Sequence, residues 1–201
     1  MAHRVYIDGH AGTTGLRIRE WLAGRDDLVL ATLADADRKD PEARREQLQG
    51  ADVAVLCLPD DAAREAVAWA EGSGTRILDT STAHRIDDDW VYGLPELAPG
   101  QRDAIRSGDR VTNPGCYASG FILATRPLLD AGLLEAGAGL SFHALSGYSG
   151  GGRPMIEKWE DAATGLGELA YAAPYALDRV HKHIPEMMHY SGLSAEPQFL
   201  P

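Results

Sequence analysis

The 201-residue chain is 44% apolar and 24% charged, which excludes a disordered or fibrous protein and provides material for one large domain or two small ones. Its net charge of −11 argues against nucleic acid or an anionic membrane surface as partner, since both need a positive footprint. A small anionic substrate stays open, because it needs only a local cluster of cations. Reading from the N-terminus, Arg4 to Asp8 forms a short apolar strand with no secretory signal before it. No apolar stretch is long enough to span a bilayer, so the sequence predicts a cytoplasmic protein. Gly9, Gly12 and Gly15 follow in G-x-x-G-x-x-G spacing, and Leu16 to Leu22 continues at helical periodicity. A second strand is expected over Leu28 to Leu33. Strand, glycine loop, helix and strand make a βαβ unit, and hence a parallel sheet.

The loop opens the first helix, where backbone N–H groups and the positive dipole end can hold a pyrophosphate. Its spacing departs from the commoner G-x-G-x-x-G fingerprint, so its position after the first strand carries more weight than the glycines alone. The stretch from Asp35 to Lys39 offers both signs of charge where an adenosine ribose would lie. An acidic group there suits the 2′-hydroxyl of NAD, whereas Arg38 and Lys39 suit the 2′-phosphate of NADP, to which the reading leans.

Glu42 to Gln49 is polar and reads as a helix or a loop. Ala51 to Leu58 is a third central strand, and its unbroken apolar character makes Cys57 a structural residue. Asp60 or Asp61 is expected to cap a helix over Ala62 to Ala70, which ends at Gly72-Ser73-Gly74 before a fourth strand, Arg76 to Asp79. Ligands bind beyond the C-terminal ends of parallel strands, so Ser81, His84 and Arg85 in the next loop are candidate site residues.

Asn113-Pro114-Gly115-Cys116-Tyr117 is a tight turn leading into an apolar run, Phe121 to Leu129, that reads as a helix. A thiol there meets backbone N–H groups and the positive dipole end, which favour the thiolate and make Cys116 the candidate nucleophile. Two cysteines in such different contexts argue against a disulfide framework and for a reducing compartment. Ser141 to Arg153 runs from a strand into a glycine-rich loop, where Ser146, Ser149 and Arg153 could cradle a phosphate or carboxylate. In His181-Lys182-His183-Ile184-Pro185-Glu186, an extended backbone would set both histidines on one face and Lys182 on the other, and Pro185 discourages a helix through His183 and Ile184. A histidine beside the thiolate would supply the acid and base that covalent catalysis requires. A metal site built from His181, His183 and Glu186 lacks an evident fourth ligand.

Taken in order, the glycine loop, Gly93 to Leu97, the Cys116 turn, Ser146 to Arg153 and the His181 to Glu186 motif resemble the N-acetyl-gamma-glutamyl-phosphate reductase family of arginine biosynthesis, in its shorter type. The resemblance extends over essentially the whole chain. It implies an α/β protein, with a doubly wound Rossmann-type domain over residues 1–115 that binds NADP and a second α+β domain over residues 116–201. That second domain is of the glyceraldehyde-phosphate and aspartate-semialdehyde dehydrogenase kind and builds a homo-oligomer, a dimer or tetramer. Matched position by position, the resemblance makes Cys116 the nucleophile and His181 the acid/base. It assigns Ser146, Ser149, Arg153, His183 and Glu186 to the substrate, and the place of Arg85 in the loop after the fourth strand adds it to that set. It assigns Gly12, Thr13, Thr14 and Gly15 to the cofactor, and position and charge add Gly9, Arg38 and Ser81.

Two departures stand out: Ala118 and Ser119 replace the family's frequent Pro-Thr, and the chain stops where the second domain should continue. The implied reaction is NADPH-dependent reduction of an acyl phosphate through a cysteine thioester. Alternatives are an aspartate-semialdehyde-type reductase, a non-catalytic nucleotide-binding protein, and a cysteine hydrolase.

Overall fold

Short apolar runs alternating with amphipathic helices can bury both faces of each strand only in a parallel sheet covered by helices. The computed structural model, which describes residues 2–161, 163, 165, 174–178 and 180–201, realises this solution in the first of two compact units, Met1–Pro114 and Gly115–Pro201. Strands β1 (His3–Asp8), β2 (Leu28–Ala31), β3 (Val53–Leu56), β4 (Arg76–Asp79), β5 (Val91–Tyr92) and β6 (Arg110–Thr112) pair in the order β2-β1-β3-β4-β6-β5, every pair parallel. Helices α1 (Thr13–Leu22), α2 (Pro41–Gln49), α3 (Asp60–Trp69) and α4 (Gln101–Ser107) form the connections. Tyr6, Leu48, Ala54, Leu56, Ala66 and Ile77 meet in the core, which α2 and α3 close from one side.

Local chemistry explains most boundaries. Asp40 caps α2 by accepting the Glu42 N–H at 3.1 Å, and Pro41 follows where a missing N–H costs nothing. Glu42 to Gln49 is therefore helix, and its one large apolar side chain, Leu48, is fully buried. The expected cap of α3 is corrected. Pro59 stands at the N-cap without a side-chain bond, and the Asp60 carboxylate instead accepts the Thr82 N–H at 2.9 Å and the Thr82 hydroxyl. Asp60 thus ties α3 to the loop that follows β4.

In the second unit, α5 (Cys116–Asp130) buries Tyr117, Ala118, Phe121 and Ile122 and packs on α7 (Ile184–Ser191). Strands β7 (Ser141–His143) and β8 (Gln198–Leu200) pair in parallel, stacking Phe142 on Phe199 at 5.2 Å. A single 3₁₀ turn, Tyr148–Gly151, leads into α6 (Arg153–Glu160). The extended reading of the His181 motif is corrected here. His183 has helical angles (φ −91°, ψ −10°) and precedes α7, while Pro185 lies in the first turn, where no donor is required.

Because Leu56 is fully buried between β1 and β4, Leu56→Ala is expected to lower stability by about 2–5 kcal/mol. Urea unfolding checks this, as a lower midpoint at unchanged slope.

Candidate active site

In the first unit the glycine loop is built by close approach. Gly9 sits at φ +82°, and a side chain there would overlap the Cys57 carbonyl oxygen at the end of β3. A Cβ on Gly15 would lie 2.6 Å from the His10 Cα. The Gly12 N–H closes the turn onto the Gly9 carbonyl at 3.0 Å, and Gly12 is the N-cap of α1 with no side-chain cap bond. The amides of Thr13, Thr14 and Gly15 thus begin a helix whose dipole end is offered to a ligand. Beside them opens a cavity of about 480 Å³, bounded by Tyr6, Asp8, Leu33, Arg38, Lys39 and Arg44 as well as by the loop itself. It lies where β1 is flanked by β2 on one side and β3 on the other, the switch point at which open α/β sheets bind ligands.

The donor set fits a dinucleotide, with uncapped helix amides for a pyrophosphate and two cations, Arg38 and Lys39, at the wall for a further phosphate. Asp35, the competing acidic group, is not part of that wall. Ser81 is held elsewhere, with its N–H and hydroxyl on the Asp79 carboxylate at 2.9 and 2.7 Å. Asp79 also takes His84 Nδ1 at 2.7 Å, and His84 stacks on Trp90 at 4.3 Å. Arg85 is buried in the same loop and donates to the Thr80 carbonyl at 2.9 Å.

In the second unit Cys116 is the first residue of α5, exposed, with Gly115 as N-cap. The turn before it is clamped from below. The Gly115 N–H donates to a Glu186 carboxylate oxygen at 2.8 Å, and a Cβ on Gly115 would stand 2.6 Å from His183 Nε2 and 2.7 Å from Glu186 Oε1. His183 and Glu186, expected in the substrate pocket, are 5% and 1% exposed and support the nucleophile turn.

His181 is the more open histidine. Its Nδ1 accepts the His183 N–H at 3.1 Å, and its ring meets the edges of Tyr117, Tyr175 and Phe199 at 5.5, 5.9 and 5.0 Å. Burial, then the charge of Lys182, lowers its pKa, with Glu186 opposing. The ring is therefore neutral around pH 7, with Nδ1 occupied as acceptor and the proton on Nε2. Among the described residues no hydrogen bond joins the Cys116 sulfur to either imidazole.

Tyr175 donates to the Tyr117 hydroxyl at 3.0 Å, and burial, that bond and the neighbouring Tyr117 and Cys116 charges raise its pKa. Sequence reasoning missed Tyr175 and Phe199, for neither stands in a motif. Tyr117 lay in plain sight beside the cysteine.

Ser146, two residues before the 3₁₀ turn, Ser149 on it and Arg153 at the start of α6 are all exposed. The Ser146 hydroxyl donates to the Gly147 carbonyl at 3.2 Å, and Arg153 donates to Glu157 at 2.6 Å. That pair is 69% and 62% exposed, so it is weak enough to yield to an anionic ligand. No group of three potential metal ligands occurs among the described residues, and no described helix is long and apolar enough to cross a membrane.

The two units define a class. Residues 29–106 match the semialdehyde dehydrogenase NAD-binding domain and residues 116–201 the semialdehyde dehydrogenase dimerisation domain. Aspartate semialdehyde dehydrogenase II from Vibrio cholerae shares the fold at a TM-score of 0.71 and 16% identity, over 100% of this chain and 70% of that one. The Candida albicans enzyme solved with NADP gives 0.64 at 15% identity, over 100% and 67%.

The chain is similar over nearly its whole length to N-acetyl-gamma-glutamyl-phosphate reductases. The Pseudomonas putida reductase 2 is 51% identical over 197 residues, covering 98% of this chain and 62% of that protein. The Brucella anthropi reductase is 48% identical over 202 residues, covering 100% and 65%. The chain thus spans 62–65% of the length of these relatives.

The two cysteines should differ sharply in reactivity. Burial pushes the Cys57 thiol up to about 11, whereas Cys116 is exposed at a helix start. At about pH 7.5, iodoacetamide is expected to label Cys116 at least about tenfold faster than Cys57, as read by peptide mass spectrometry.

Proposed function

We propose that this chain carries the cofactor and thiol machinery of an NADPH-dependent reductase that converts N-acetyl-glutamyl 5-phosphate to the 5-semialdehyde and inorganic phosphate. The observation that carries the reading is Cys116 at the first position of α5, with its turn locked by Glu186 and the His181 imidazole packed on the adjacent Tyr117. Identity of 48–51% to reductases of that name supports the substrate. Arg38 and Lys39 at the cavity wall support NADP over NAD.

In this mechanism the Cys116 thiolate attacks the acyl-phosphate carbonyl, the C–O bond to phosphate breaks, and a thioester remains on the sulfur. NADPH, which the Gly9 to Gly15 loop and Arg38 would hold, would supply the hydride that reduces that thioester. The resulting tetrahedral oxyanion needs donors, and the Cys116 backbone N–H and the Nε2–H of His181 are suited to that role. Collapse expels the thiolate and releases the aldehyde. His181 is the acid/base group of choice over His183, because His183 is buried against Gly115. Arg153 and Arg85 are assigned to the substrate's anionic groups, Ser146 and Ser149 to its polar contacts, and Gly9 to Gly15 to the pyrophosphate. The protein works in the cytoplasm as a homo-oligomer, a reading supported by the match to a dimerisation domain.

The test is NADPH oxidation with stoichiometric phosphate release, comparing N-acetyl-glutamyl phosphate with aspartyl phosphate. In protein first shown to turn over, Cys116→Ser is expected to lower kcat at least about a thousandfold while NADPH binding persists. Undiminished reduction by the serine variant would sink the proposal, and preference for aspartyl phosphate would reassign the substrate. Since His181 is held neutral by burial, its protonation, which removes the Nδ1 acceptor, lies below the ordinary histidine range. Activity should therefore hold as pH falls to about 6.5 and decline below it.

A further inference from the structure

One feature of the cofactor cavity contradicts its purpose. Asp8 ends β1 directly before Gly9 and belongs to the cavity boundary, although only 3% of its side chain is exposed. A buried negative charge beside a pyrophosphate loop opposes anion binding, in a chain whose overall charge of −11 already does so. The structure answers with Arg44, the one buried cation of α2. Its Nε reaches both Asp8 oxygens at 3.2 and 3.3 Å, and its Nη2 reaches one at 3.1 Å. The guanidinium also lies 4.9 Å over the Trp69 ring and 4.0 Å from the exposed Glu65, so its plane is fixed on the side away from Asp8 as well. Tyr6, 1% exposed, adds its hydroxyl to Asp8.

We infer that Arg44 is a positioning residue that cancels the Asp8 charge, leaving Arg38 and Lys39 as the net charge of the cavity, and that this cancellation sets the affinity for a dinucleotide phosphate. The inference rests on the NADPH reading above. It differs from a direct grip on the phosphate, because the Nε and Nη2 donors of Arg44 are spent on Asp8.

The experiment is equilibrium titration of the full chain with NADPH, followed by nicotinamide fluorescence, with a thermal melt of each variant to check folding. Arg44→Gln strips the neutralising charge and is expected to weaken NADPH binding at least about tenfold. Asp8→Asn leaves the Arg44 charge uncancelled and should bind NADPH at least as tightly as the unsubstituted chain. The double variant, with both charges gone and shape nearly kept, should recover to the value of the unsubstituted chain. Wild-type affinity in Arg44→Gln would overturn the inference, as would a double variant as weak as Arg44→Gln, which would mean that Arg44 touches the cofactor itself. If Arg44→Gln fails to fold, the comparison of the double variant with the unsubstituted chain decides, and binding about tenfold weaker in the double variant overturns the idea. Failure of the unsubstituted chain to bind NADPH would instead overturn the NADPH reading, and this inference with it.

Discussion

Parallel hydrogen bonding between β1 and its two neighbours is the constraint from which the first unit follows. Parallel strands have no tight turns, so each must be followed by a crossover, and every loop that leaves a strand's C-terminal end lies at the same edge. Because β1 takes β2 on one side and β3 on the other, the glycine loop and the Cys57 to Pro59 segment are forced together. Gly9 is the contact between them, and only a residue without Cβ permits it. The register also delivers Asp8 to the same edge, and α2, arriving after β2, brings Arg44 to meet it. The cavity is a consequence of topology, and its charge balance a consequence of one ion pair.

The second unit depends on a shorter reach. The Gly115 amide, one residue before the thiol, is fixed by a carboxylate from α7, so the first turns of α5 and α7 are pinned to each other. Each helix start is an N-terminus with positive dipole character, and Glu186 in the first turn of α7 serves both. Removing it would leave a buried amide without a partner, a cost of about 1–3 kcal/mol at the point where the nucleophile is held. His181 gains its orientation from the same turn, through the His183 amide on its Nδ1.

Much of this was legible in the amino acids. Short apolar runs marked the first four strands and helical spacing the helices after β1 and β3, whereas Glu42 to Gln49 reads as either helix or loop; Asn113 to Tyr117 announced a thiol at a helix start. The fifth strand was not legible, since Val91 and Tyr92 are too few to show a period. The His181 motif misled, because alternation of histidines suggested a strand, whereas Pro185 in the first turn of α7 is a helix signal when read from the other direction. Arg44 hid in a segment so polar that burial was not expected, and only its partner in β1 reveals why a guanidinium lies inside. Glu186 stood in a recognised motif, but its bond to the Gly115 amide was not legible, since a sequence shows residue types and not which surface they face. Tyr175 and Phe199 carried no local signal, and their importance exists only through partners far along the chain.

Phe199 illustrates what such distance means for assembly. Its ring lies against those of Phe142, Tyr117 and His181, and its strand completes a pairing begun at β7. During synthesis the six-stranded sheet can close once β6 has emerged, with its cavity already shaped. The surroundings of the thiol cannot be completed until β8 is made, and that long-range pairing belongs to the slower class of folding events. A nascent chain would thus acquire the capacity to hold a nucleotide before the aromatic packing beside its reactive sulfur was complete.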